Sequence, residues 1–104
     1  MKMSFMLRTV QREKEHIDHM LAAYRRQLDE LPKGSVIAKS AGQNVYYYLK
    51  YRSGKKVFTD YWGKDGEKVQ TVRAALDKRR HIEAMIAHLQ SEQSLANKVL
   101  EGKT

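Results

Sequence analysis

The stretch NVYYYLKYRSGKKVFTDYWGK, residues 44–64, holds five of the six tyrosines, the single tryptophan and five of the twenty basic residues. VYYYLKYR and KKVFTDYW are rich in β-branched and aromatic strand formers. Between them Ser53 and Gly54 form a two-residue loop, in which glycine accepts a positive φ. A hairpin closed there sets Arg52 opposite Lys55, Leu49 opposite Phe58, Tyr46 opposite Tyr61 and Val45 opposite Trp62. Alternation then divides the side chains between two faces. One face carries Val45, Leu49, Phe58 and Trp62 as an apolar centre fit for packing. The other carries Tyr46, Tyr48 and Tyr61 at its base and Lys50, Arg52 and Lys55 toward its tip, where Lys56 adds a fourth cation. Upstream, SVIAKS (35–40) reads as a further strand and AGQN as the turn after it, which completes a three-stranded antiparallel meander over about 35–62.

Outward from the meander, both flanks read as long helices. Met3, Leu7, Val10, Lys14, Ile17, Leu21, Tyr24, Leu28 and Leu31 alternate spacings of four and three, a heptad seam over about 4–31 that Pro32 ends. Val72, Ala75, Arg79, Ile82, Ile86, Leu89, Gln93, Ala96 and Leu100 repeat the pattern in a helix of about 65–101, with Asp65 as its N-cap and Glu67 favourably placed at its positive end. The fold class is therefore α+β: two long antiparallel coiled-coil-like helices with the meander inserted, in one domain. The simplest pairing sets Leu31 near Val69 and Leu7 near residues 93–96. Lys14, Arg79 and Gln93 are polar seam positions of the kind that fix register. Met6, Met20, Leu76, Met85 and Val99 flank the seams and suggest a homodimeric four-helix bundle or a docked partner, the competing reading being that the methionines are merely seam edges.

The net charge is +8, and residues 33–68 supply most of it, with eight Lys or Arg against three acids. A localised basic excess points to an anionic partner, most often nucleic acid. Tyrosine rings beside Lys and Arg on an open sheet suit base stacking and phosphate neutralisation. The competing reading is that tyrosine pairs simply stabilise a hairpin. DKRRH (77–81) is a second basic cluster, and Lys78 and Arg80 extend the positive surface or form a solvated helix face.

The chain has no cysteine, hence no disulfide and no thiolate metal site. His16, His19, His81 and His88 all fall outside the seams and point toward solvent, so no metal site is expected. No phosphate-binding loop, dinucleotide glycine pattern or nucleophile elbow occurs, and neither an enzyme nor a cofactor is expected. No apolar run approaches a membrane span and no signal peptide is visible, so a cytoplasmic location without membrane partners is expected.

LPKGS, the Tyr-rich strand, YRSGKK and YWGK (Leu31 to Lys64) together resemble a loose group of small bacterial and phage-associated proteins. These share an LPxGS entry, a YRxGKK hairpin and a YxGK exit between two coiled-coil helices. The resemblance implies the architecture and assigns no activity. Small basic proteins of this kind also occur among phage-encoded inhibitors of host defence nucleases, including anti-CRISPR proteins. The functional expectation is a basic, non-enzymatic protein that binds RNA, DNA or a nucleoprotein complex. Its contacts are Tyr46, Tyr48, Lys50, Arg52, Lys55, Lys56, Tyr61, Lys64, Lys78 and Arg80. The alternative is a protein–protein inhibitor or adaptor that acts through the helices, with a purely structural hairpin.

Overall fold

The computed structural model describes residues 4–64 and 66–102. The elements run α1 (Phe5–Asp29), β1 (Ser35–Ala41), β2 (Asn44–Ser53), β3 (Lys56–Gly63) and α2 (Gly66–Leu100). The α+β class and the inserted antiparallel meander, in strand order β1-β2-β3, are thus as the sequence implies. Ser4 is the N-cap of α1 rather than part of it: its hydroxyl oxygen accepts the Leu7 amide at 3.1 Å. The helix ends before Leu31, with Glu30 as C-cap. The expected cap at Asp65 and the seam position at Met3 lie outside the described residues.

The chain sorts into two compact units, one built from residues up to Glu30 with those from Ile82 onward, the other from Leu31–His81. In the helical unit, Ile17, Leu21 and Leu89 form the core, with Met20, Tyr24 and Ile86 packed against it. Ile82 and Ala96 are also buried. All of these are seam positions of the heptad reading except Met20, a flanking residue that packs as a seam edge. Gln93 donates to the Asp18 carboxylate at 2.7 Å, so this polar seam residue does hold a specific partner.

In the sheet unit, the first part of α2 lies on one sheet face. Leu49, Val72 and Leu76 form the core, and Val36, Tyr51 and Trp62 pack against it. Leu76 is only 3% exposed, so it is a core residue and not part of an open dimerisation flank. The helical pairing also differs from the expected one. Arg79 donates to the Leu31 carbonyl at 3.3 Å, so Arg79 rather than Val69 meets Leu31. Val69 is instead buried beside Tyr47, Leu49 and Trp62. A seam repeats every turn and leaves the partner of each position free, and the first turns of α2 are used for the core of the sheet unit.

The hairpin register is shifted too. Ser53 pairs with Lys56, Arg52 with Val57, Tyr51 with Phe58, Leu49 with Asp60 and Tyr48 with Tyr61. The loop is therefore Gly54–Lys55, one residue later than Ser53–Gly54. The cause is glycine geometry: Gly54 has φ +63°, and no non-glycine among the described residues has a positive φ. A two-residue loop with one positive φ needs it at the first loop position, as in a type II′ turn. Moving both strand ends by one residue preserves the face of every side chain, because the change in pairing is two. A bulge between Tyr47 and Tyr48 then pairs Tyr47 with Gly63 and leaves Trp62 as the extra residue. Val45 consequently pairs only with Ser40 and is 40% exposed, while Phe58 is 41% exposed and stacks on Tyr51 at 5.4 Å. Neither belongs to the apolar centre.

Candidate nucleic-acid interface

With α2 on one side of the sheet, the other side is the face to consider. Strand alternation brings Tyr46, Tyr48, Lys50 and Arg52 of β2 together with Val57, Thr59 and Tyr61 of β3. β1 adds Ile37 opposite Tyr48, and Lys39 opposite Tyr46. These two residues are missing from the sequence-level site. The signal for them was present: Gly42, like Gly54, has a positive φ (64°), and a loop of Gly42–Gln43 makes Ala41 pair with Asn44. Counting back from that pair sets Lys39 against Tyr46.

The three tyrosines form one cluster. Tyr61 lies 5.3 Å from Tyr48 and 6.2 Å from Tyr46 between ring centroids, tilted against both. Two lysines sit over the partner rings, Lys39 Nζ 5.1 Å from the Tyr48 centroid and Lys64 Nζ 5.4 Å from that of Tyr46. Tyr46 and Tyr48 are half-buried as a result, whereas Tyr61 is 59% exposed. Toward the tip, Lys50, Arg52 and, in the loop, Lys55 are all exposed. Lys56 opposes Ser53 and so belongs by alternation to the helix-facing side, at the tip.

Acids are sorted away from this face. Asp60 is the only acid in the three strands and lies opposite Leu49, on the covered side. Lys39, Lys50, Arg52, Lys55, Lys56 and Lys64 make no ion pair with a described carboxylate. Lys78 and Arg80 are not brought to the tyrosine face. They belong to α2, on the opposite layer, where Arg80 pairs with Asp77 at 3.4 Å and lines a polar recess with Ser35, Val36 and Arg73. The second basic cluster therefore does not continue the hairpin's surface.

All four histidines are exposed, and the described residues hold no group of three or more metal-ligating side chains. No helix among them is long and apolar enough to cross a membrane.

A family model, that of a domain of unknown function, matches residues 7–71. The chain belongs to the DUF6788 family. The DUF6788 match takes in α1 from Leu7 onward, the whole sheet and α2 as far as Thr71. It therefore contains the tyrosine face and the hairpin tip, and stops short of Lys78 and Arg80. No curated protein and no solved structure matches the chain.

Proposed function

We propose that this DUF6788 protein is a non-enzymatic binding protein that engages nucleic acid, alone or within a nucleoprotein complex, through the uncovered sheet face and the hairpin tip. The supporting observation is the sorting of charge. Lys39, Lys50 and Arg52 share one exposed side of the sheet with no acid among them, and the exposed loop residue Lys55 lies at its tip. Gathering like charges on neighbouring strands costs stability unless something neutralises them. Phosphates do so, and they release counterions in the process. Such a protein suits inhibition of a nucleic-acid-guided defence nuclease, in which positive charge favours the guide or target strand.

The test is fluorescence anisotropy with labelled oligonucleotides across a salt series. With six phosphate contacts the log–log salt slope on a single strand is about −4, and the Lys50/Arg52/Lys55/Lys56→Ala variant, with two left, has a slope near −1.4. Binding that is absent at low salt, or identical in the variant, refutes the reading.

A second reading has its own observation. In the helical unit Val10, Ile17, Leu95, Ala96 and Val99 line an open groove of ≈ 280 Å³, and Leu95 is 57% exposed. Contact with a protein through that groove predicts binding that persists at high salt.

A further inference from the structure

We infer that the nucleic acid this face takes is a single strand, with Tyr61 as the platform on which a base stacks; the inference rests on the binding role proposed above. The three rings of the cluster are not equivalent. Lys64 and Lys39 already lie over Tyr46 and Tyr48, while Tyr61 is the most exposed. Tyr46 and Tyr48, both on β2, contact Tyr61 with ring centroids 6.2 and 5.3 Å away, which restricts its ring on that flank before any ligand arrives. A ring braced by other rings and open to solvent is a stacking platform with little left to order.

A duplex cannot use such a platform. Its base faces are occupied by neighbouring pairs, and its edges are read by elements that enter a groove. The tyrosine face carries no helix. Its neighbouring side chains at Val57 and Thr59 are short and uncharged, and leave room for a splayed base beside Tyr61. Lys50 and Arg52 follow Tyr48 at alternate positions of β2, each about 7 Å further along the strand. They form a row of cations leading away from the platform. From Tyr46 to Arg52 the face runs about 20 Å, enough for about six nucleotides at stacked spacing and fewer when bases splay.

The experiment compares 12-nucleotide labelled single strands, oligo-U and oligo-dT, with a 12-base-pair duplex at one low salt concentration. The proteins are wild type, Tyr61→Leu, Tyr61→Phe and the quadruple charge variant, each checked for folding by circular dichroism and Trp62 fluorescence. Single strands of either sugar are expected to bind at least tenfold tighter than duplex. Tyr61→Leu should weaken single-strand binding about five- to hundredfold and leave duplex binding unchanged, while Tyr61→Phe, which keeps the ring, stays near wild type. Duplex binding as tight as single-strand binding, or a Leu variant that matches wild type, overturns the inference. If the charge variant still loses affinity in that case, the broader binding role survives. Absence of binding to any of the three probes removes both.

Discussion

Leu76→Ala is the sharpest test of the sheet–helix packing. Sequence spacing puts Leu76 beside the helical seam, where truncation would cost little. In the structure it is 3% exposed and packs with Leu49 and Val72 under the sheet. Alanine keeps the helix propensity of the site, so the change reads packing alone. Removing a buried leucine side chain from a core costs about 2–5 kcal/mol, through lost burial and the cavity left behind. A value near 3 kcal/mol fits this site, because Leu49 and Val72 are held by a β-ladder and a helix and cannot collapse far. A chain of this length has about 5–15 kcal/mol of total stability, so the loss is a large fraction of it. The midpoint of thermal unfolding should fall by about 12–24 °C. The assay is thermal and urea unfolding followed by Trp62 fluorescence, since this single tryptophan packs on the same cluster. Leu95→Ala is the paired control: Leu95 is 57% exposed, and its loss should stay within about 0.5 kcal/mol. Equal effects from the two substitutions, or a Leu76→Ala cost under about 1 kcal/mol, would refute the packing argument.

Two further substitutions probe the backbone and the helical seam. Gly34 has φ +120°, and a Cβ there would run into the Lys50 carbonyl and come within 3.0 Å of Tyr51 Cβ; Gly34→Ala should therefore cost about 2–3 kcal/mol, seen as a lower urea midpoint, and a neutral outcome would contradict the close approach of the chain entering β1 to β2. Gln93→Leu should raise the unfolding free energy by about 1 kcal/mol, seen as a higher urea midpoint, because the seam gains apolar burial while Asp18, with its side chain 44% exposed, can return to water; a drop of that size would mean that the Gln93–Asp18 bond is a net stabiliser rather than a register device.

Much of the architecture is legible in one dimension because it depends on period. The four-three spacing in both flanks marks Ile17, Leu21, Ile82 and Leu89 as inward-facing whatever they meet, and all four are buried. Period two in β2 and β3 sorts Tyr48, Lys50 and Tyr61 onto one face, and the sorting survives a shift of the turn because parity survives it. Pairing is less legible. Leu49 meets Asp60 and not Phe58, since one glycine could occupy either position of the loop and only the φ demanded by the turn decides between them. Lys39 and Ile37 enter the candidate site only through the β1–β2 register, a contact between residues distant in sequence.

The sequence by itself determined the element order, the open basic hairpin and the concentration of rings, because propensity, periodicity and charge are local properties. Tertiary structure decided which residues those patterns serve. It buried Leu76 and Val69 beneath the sheet, set Arg79 against Leu31, placed Lys78 and Arg80 on the layer opposite the tyrosines, and left Tyr61 as the most exposed ring of its cluster. The physical reason is the same in each case. A periodic pattern fixes the face of a side chain and leaves its partner undetermined until other elements compete for the same apolar surface.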